Sequence, residues 1–387
     1  MWVTRFEWPD PDPAEAKHTI DVVMADLAAS HFNAVLFQVR GNGTAFYRSS
    51  IEPFAYEYEN GDPGFDPLEV ACREAHRRGL ALHAWVNVMP AWRGESPPRD
   101  SNQLYHAHPE WFLYDQAGKR QPLTDFYVSL NPCLPDVREY LVSVFKEIAG
   151  SYPVDGLHLD YIRFPIETAP KGSDYPHDRA TLALYKKATG GKPADDQVRW
   201  SAWRVQQVTQ LVRDIRLMLK RVRPKAKLTV ACAPDVDRAR QKYFQDGPAW
   251  VRGRLVDLAF VMNYSADTRT FRLRHEAWQR AVGARGVAAG IGLYKHDNDR
   301  ASIDQLNLAR QWGNGFALFS NKSLFGPEDP RAPQRLEAIR PILLDMRARA
   351  ARRAEQAESP VTARVGVTSW VGRESASPRR PAYGTVP

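Results

Sequence analysis

Short runs of Val, Leu, Ile and Phe recur along this chain, separated by longer stretches in which apolar residues return every three or four positions. The runs predict strands at residues 2–6, 34–40, 81–88, 156–162, 227–233, 255–264, 287–293 and 316–320. Their nearly continuous apolar character suits parallel strands covered by helices. The stretches between them predict amphipathic helices at 14–29, 67–78, 135–150, 197–222, 243–252, 270–282 and 302–311, with a last one at about 333–351. Eight strands alternating with helices predict an α/β chain folded as a single (β/α)8 TIM barrel. An open doubly wound sheet is the structural rival. No GxGxxG or GxxxxGKS/T loop follows any strand to support it.

Three strand-to-helix connections are long, at 41–66, 89–134 and 163–196. Connections of that size are usually functional, and in a barrel they gather on the face at the carboxyl ends of the strands. Beyond about residue 350 the periodicity stops and Ala, Arg, Ser, Pro and Gly take over. The expected organisation is a barrel over 1–350 and a disordered basic tail over 351–387.

Composition narrows the choice. The formal charge is +8, but the segment from Arg347 onward carries +5 of it, so a basic nucleic-acid face on the folded part is not expected. No run of about 18 apolar residues offers a membrane span. Cys72, Cys133 and Cys232 are odd in number and far apart, with no CxxC pair, which argues against a disulfide framework or a zinc site and suits small buried hydrophobes. A strand at 2–6 leaves no room for a signal peptide. A cytoplasmic location is therefore expected for the chain as written, and an extracytoplasmic one if its natural start lies upstream.

Several strands place polar residues two apart near their carboxyl ends, where alternation points both into the barrel. Strand one offers Arg5 and Glu7, strand two Gln38 and Arg40, and strand three His83, Trp85 and Asn87. Strand four offers His158 and Asp160, strand five Asp235, and strand six Asn263 and Tyr264. Burying one such group unpaired costs about 1–3 kcal/mol, so a ring of them implies mutual pairing or a wet pocket. Asp160 stands out, because apolar and polar residues alternate up to it from Gly156.

A carboxylate there is suited to attack or base catalysis at a sugar anomeric centre; its alternative is an ion pair with Arg163, Arg40 or a contact with His158. Glycoside hydrolysis needs a second carboxyl, for which Asp235, then Glu7, then Asp267 are candidates. Asp155 falls at the opposite end of the barrel and suits a turn or cap. Arg5, Arg40 and Arg163 suit sugar hydroxyls or pairing within the ring, and His83 and His158 suit sugar contact or a satisfied barrel interior. No histidine spacing marks a metal site, and no cofactor is called for. Aromatic residues reach 11%, with 11 Trp. Trp85, Trp92, Trp111, Tyr105, Tyr127, Tyr161, Tyr264 and Tyr294 cluster at strand ends or in the long connections, as carbohydrate stacking would require.

The segments His108-Pro109-Glu110-Trp111, Ser129-Leu130-Asn131-Pro132, Gln245-Asp246-Gly247-Pro248-Ala249-Trp250 and above all Asp155-Gly156-Leu157-His158-Leu159-Asp160-Tyr161-Ile162-Arg163-Phe164-Pro165 resemble the bacterial glycosyl-hydrolase-like family called "family 10 glycosylhydrolase", distinct from the xylanases. The likeness takes in Trp2-Val3-Thr4, Phe37-Gln38-Val39-Arg40 and Met262-Asn263-Tyr264, and runs from residue 2 to about 345. It implies a TIM barrel related to the α-amylase-type hydrolases, activity on bacterial envelope glycans including peptide-free peptidoglycan strands, and Asp160 as the strand-four carboxylate. Members usually carry an export signal and residues ahead of the Trp-Val-Thr strand, which this chain lacks. The amylase-type enzymes place a Glu after strand five, where this chain has Asp235.

The working expectation is a glycoside hydrolase of an envelope polysaccharide or oligosaccharide. Asp160 is its nucleophile or base, Asp235 or Glu7 its acid, and Arg5, Gln38, Arg40, His83, Trp85, Asn87, His158, Tyr161, Arg163, Asn263 and Tyr264 bind the sugar. One rival is a catalytically silent glycan-binding barrel. Another is an enzyme of phosphorylated metabolites using the glycines at 290–292 and 313–315, which precede or interrupt strands rather than opening helices.

Overall fold

The computed structural model describes residues 1–58, 61–165, 169–283, 286–313 and 315–358. In chain order the strands are β1 (Trp2–Val3), β2 (Ala34–Arg40), β3 (Ala81–Asn87), β4 (Pro90–Gly94), β5 (Thr124–Ser129), β6 (Gly156–Asp160), β7 (Lys227–Cys232), β8 (Leu258–Met262), β9 (Val287–Gly292) and β10 (Phe316–Phe319). Eight form one parallel sheet in the order β1-β2-β3-β6-β7-β8-β9-β10, and β4 pairs with β5 as a separate antiparallel hairpin. The backbone N–H of Asn321, just past β10, donates to the Trp2 carbonyl at 2.9 Å. The sheet is thus nearly closed into the expected barrel.

The helices are α1 (Pro13–Ala29), α2 (Pro67–Arg77), α3 (Leu104–Ala107), α4 (Pro135–Ser151), α5 (Arg179–Thr189), α6 (Gln197–Val222), α7 (Val236–Lys242), α8 (Gly247–Arg252), α9 (Thr268–Val282), α10 (Asp299–Trp312), α11 (Lys322–Phe325) and α12 (Ala332–Glu358). Aspartate starts many of them. Asp12, Asp66, Asp178, Asp196, Asp235, Asp246 and Asp267 each accept backbone N–H groups of the first turn, satisfying donors that have no partner inside the helix. Asp155 lies at the amino-terminal end of the barrel and accepts from Leu82 N and His76 Nε2, both at 2.8 Å.

Boundaries differ from expectation where local chemistry intervenes. β1 stops at Val3 because the chain turns there, with Glu7 N donating to Thr4 O at 3.1 Å. The seven-residue α7 was not foreseen, and the expected 243–252 helix begins at Gly247 behind its Asp246 cap. The long connection after β3 contains the β4–β5 hairpin, and the one after β6 contains α5. Met1–Arg347 is one compact unit. The second unit, Ala348–Pro387, is helical as far as Glu358, so residues 351–358 of the expected tail are ordered helix; the rest of that tail, 359–387, lies outside the described residues. Among the described residues no helix is long and apolar enough to cross a membrane. The three cysteines are buried free thiols.

Alternation along the strands produces two cores. One lies between the sheet and the helices and includes Val35, Phe37 and Val39 of β2. The smaller one fills the barrel and is built on Trp2, Leu36, Trp85 and Ala317, with Phe260, Tyr264 and Phe319 packed against it. Trp2 plugs its centre. Its indole meets His158, Phe260, Tyr264 and Phe319 edge-on, with ring centroids 5.8–6.2 Å apart. Gly290 permits the fit, since a Cβ there would lie 3.1 Å from the indole and 2.5 Å from the Val261 carbonyl oxygen. Replacing Trp2 with Ala is expected to cost about 3–5 kcal/mol in denaturant unfolding. Trp2→Phe should keep most of the packing and still cost about 1–3 kcal/mol, because it strips the hydrogen-bond donor from buried His158. Equal stability of the Phe variant and the wild type would contradict the second figure.

Candidate active site

Asp160 ends β6, on the face reached by the three long connections. Its register partner on β3 is Asn87, while Trp85 pairs with His158 and His83 with Gly156. These pairs set a vertical order, with the histidines below and Asp160 at the mouth. Asp160 is 5% exposed. Oδ1 accepts from the Tyr161 backbone N–H at 2.7 Å and from Arg163 Nη1 at 3.2 Å. Tyr161 takes a left-handed backbone, φ +48°, which brings its own N–H back to the preceding side chain. The Arg163 guanidinium lies 4.2 Å from the centre of the Tyr161 ring. Burial pushes the Asp160 carboxyl above the usual aspartate range; the Arg163 cation, the Tyr161 N–H and the Trp85 indole pull the other way without cancelling it.

The mouth above Trp2 is walled by aromatic rings and remains open to water. Phe260, Tyr264, Phe319 and Tyr161 are each half-buried, although Ala259 and Val261 beside Phe260 are fully covered. Tyr264 packs on Phe319 at 5.3 Å and sits over Gly292, where a Cβ would meet it at 2.8 Å. Burial, with the Asp160 charge next, pushes the Tyr264 phenol well up. On the other side Tyr161 meets Tyr127 at 5.1 Å. Phe260, Phe319 and Trp2 were not anticipated as site residues. Their signal was present in the same strand alternation that located Asp160.

Trp85 stands one level below the carboxylate and Asn87 beside it, the indole Nε1 donating to Asn87 Oδ1 at 3.1 Å while Asn87 Nδ2 donates to the Gly41 carbonyl. Arg5 is fully buried, pairs with Glu57 at 2.5 Å, and receives support from Gln38, whose Oε1 accepts the Arg5 backbone N–H. Glu57 went unremarked in the sequence, because it lies in a connection rather than on a strand.

Several expected sugar contacts are corrected by their surroundings. Arg40 is sealed, forked onto Glu52 at 2.8–3.0 Å and bonded to the Val88 and Pro90 carbonyls at 3.2 Å. His158 is sealed as well. Trp2 Nε1 donates to its Nε2 at 3.1 Å, so Nδ1 carries the proton and faces Thr229 Oγ1 at 2.9 Å. His83 lies a level lower, against Gly156, 3.3 Å from the same hydroxyl. Asn263 is buried and fastens α9 by donating to the Phe271 carbonyl at 2.6 Å.

Neither expected acid faces Asp160 among the described interactions. Asp235 is exposed and caps α7 through Arg238 N at 2.9 Å. Glu7 clasps the barrel seam, its two oxygens accepting from Thr4 N, Thr4 Oγ1 and Lys322 N at 2.9–3.2 Å. Burial raises its pKa against the pull of the Thr4 hydrogen bonds.

The family model for glycosyl hydrolase-like 10 matches residues 1–305. The chain belongs to the glycosyl hydrolase-like 10 family. Glycosyl hydrolase YngK of Bacillus subtilis (strain 168) is 29% identical over 239 residues, covering 59% of this chain and 43% of that protein. Glycosyl hydrolase DigH of Escherichia coli (strain K12) is 29% identical over 247 residues, 60% of this chain and 53% of DigH. The chain spans about half the length of these curated relatives. The PgaB (BpsB) glycoside hydrolase domain from Bordetella bronchiseptica superposes with a TM-score of 0.67 at 15% identity, covering 89% of this chain and 98% of that domain. That likeness establishes the TIM-barrel-like fold, with Asp160 of this glycosyl hydrolase-like 10 member at the end of its fourth barrel strand.

Two measurements check these assignments. Asp235→Ala should cost about 1 kcal/mol, the worth of a helix cap, and leave the rate on any substrate unchanged; a large rate loss would restore Asp235 to the chemistry. Burial holds His83 down at about 4 and His158 well below its ordinary value. Between pH 4 and the unfolded histidine value near 6.5, the unfolded chain therefore binds more protons, and stability falls as pH falls. Thermal midpoints should drop from pH 7 to pH 5, less steeply in His83→Gln. An identical slope in that variant would contradict a neutral His83.

Proposed function

We propose that this chain hydrolyses glycosidic bonds of a bacterial envelope polysaccharide, peptide-free peptidoglycan strands among them, with Asp160 as the acid that protonates the leaving oxygen. The observation carrying this reading is the placement of one desolvated carboxyl at the end of β6, held by Arg163 and the Tyr161 N–H, below an open mouth of half-buried aromatic rings. A proton donor needs a pKa near its working pH, and burial moves Asp160 in that direction. The role differs from the nucleophile or base expected from the sequence, because a nucleophile gains from ionisation and this environment opposes it. As the anomeric C–O bond breaks, Asp160 transfers its proton to the departing oxygen; water then adds at the anomeric carbon and gives up one proton to the Asp160 carboxylate, so each turnover consumes one water and restores the acid. The rings around Tyr264 and Tyr161 offer faces for the apolar side of a pyranose. Membership of the glycosyl hydrolase-like 10 family supports the reaction class. The substrate rests on the resemblance of the Asp155–Pro165 segment and on the size of the mouth connections.

Asp160→Asn should keep the fold, bind glycan and lose about 10³-fold in turnover, read as reducing ends released from peptide-free peptidoglycan strands. In the wild type kcat/KM should fall as pH rises past the Asp160 pKa, since the protonated form is the active one. Arg163→Gln removes an opposing cation and should move that limb to higher pH. Full activity of Asp160→Asn, or a limb that moves to lower pH in Arg163→Gln, would refute the assignment.

A further inference from the structure

Arg40 is a cation with no exposed surface, at the end of β2, and the neighbouring strand β3 ends beside Asp160. A bulge puts it there. The register to β3 runs Gln38 to Trp85 and then Arg40 to Val86, so Val39 is an extra residue on β2. Alternation alone would send Arg40 into the barrel with Gln38. The bulge instead brings it level with Val86, which belongs to the core between sheet and helices. There its guanidinium meets Glu52, and the Tyr140 hydroxyl of α4 donates to Glu52 Oε1 at 2.7 Å.

A buried ion pair is a weak source of stability, because apolar side chains of similar size fill such a space without desolvating two charges. The distinctive feature is the use made of the N–H groups that Glu52 leaves over. Nη1 shares its two N–H bonds among the carbonyls of Asn87, Val88 and Pro90. The Met89 carbonyl between them accepts from Leu130 N at 2.9 Å. All four carbonyls from the end of β3 to the start of β4 thus have donors, three of them from one side chain.

The N–H groups of the same segment turn the other way, to the strand that carries Asp160. Val88 N donates to the Asp160 carbonyl at 2.8 Å and Met89 N to the Tyr161 carbonyl at 3.4 Å. The Asn87 carbonyl and the Val88 N–H are two ends of one rigid peptide plane, as are the Val88 carbonyl and the Met89 N–H. Each plane is held at its oxygen by Arg40 and holds Asp160 or Tyr161 at its nitrogen. The second hold matters because Tyr161 keeps a left-handed backbone, φ +48°, which a residue with a Cβ adopts only where its surroundings impose it. The same Tyr161 supplies the N–H that fixes Asp160 Oδ1.

We infer that Arg40 is a positioning residue for the reaction: through these two peptide planes it fixes the backbone of Asp160 and Tyr161, and with it the place of the carboxyl in the mouth. This rests on the assignment of Asp160 as the acid. Arg40 itself touches neither sugar nor reacting bond. The planar fork is essential to the role, because a lysine ammonium is a single point of charge and cannot serve Glu52 and both planes together.

The test measures kcat and KM of the full chain on peptide-free peptidoglycan strands, as reducing ends released. Arg40→Lys should lose about tenfold to 100-fold in kcat, the scale of a small misplacement of a reacting group. Its KM should stay within about twofold of wild type, since no sugar-binding group has changed. Val35→Ala is the comparison for plain loss of stability. It opens buried space at the foot of the same strand and should leave kcat unchanged. Tyr140→Phe keeps the Arg40–Glu52 pair but takes one partner from Glu52. It should lower kcat about two- to threefold with KM unchanged, and it carries the test if Arg40→Lys does not fold. Wild-type kcat in Arg40→Lys or, where that variant does not fold, in Tyr140→Phe would overturn the positioning role and leave Asp160 in place. So would a rise in KM with kcat held, or an equal loss of kcat in Val35→Ala. Full activity of Asp160→Asn, or no cleavage of any envelope glycan by the wild type, would overturn the acid and the positioning role together.

Discussion

The site depends on how the inside of the barrel is filled. A short first strand delivers one Trp side chain into the centre, and four rings pack edge-on around its indole. The indole N–H then settles a buried imidazole beside it, because it donates to His158 Nε2 and so directs the His158 Nδ1 proton to Thr229. A buried imidazole left without either partner would cost the desolvation of that group outright. With both in place His158 is held toward its neutral form at the level of Trp85. The chain therefore has a floor, and Asp160 stands on it.

That floor determines the electrostatics of the mouth. Burial of the Asp160 carboxyl raises its pKa, while Arg163 and the Tyr161 N–H keep the group oriented and pull the pKa down without cancelling that rise. Elsewhere in the molecule the carboxylates do other work. Glu52 neutralises Arg40, Glu7 holds the β1–β10 seam, and a series of aspartates starts the helices. Separate environments thus give chemically similar side chains different roles, and Asp160 combines desolvation with an aromatic mouth.

Much of this was legible in the sequence, for reasons that can be named. Parallel strands under helices read as apolar runs, and β2 and α6 begin and end where the pattern placed them. Asp160 was visible because a polar residue closed an alternating strand. What the alternation could not give was height. His83, Trp85 and Asn87 share a phase on β3, yet the stagger of the barrel puts His83 beside Gly156 near the bottom and Asn87 beside Asp160 at the top. The same limit misassigned His158 and Arg40, whose partners, Trp2 and Glu52, come from distant parts of the chain. Asp235 read as catalytic because it follows a strand. A helix too short to show periodicity begins there, and its first turn claims the carboxylate.

The central claim is that the mouth above Trp2 is a place where water is added across a glycosidic bond. Digestion of peptide-free peptidoglycan strands and other envelope glycans in water enriched in oxygen-18, followed by mass analysis, measures that addition directly. The expected result is shorter glycans, each cut supplying one new reducing end that carries a single heavy oxygen. Glycans recovered intact, or shortened without uptake of the heavy oxygen, would contradict it.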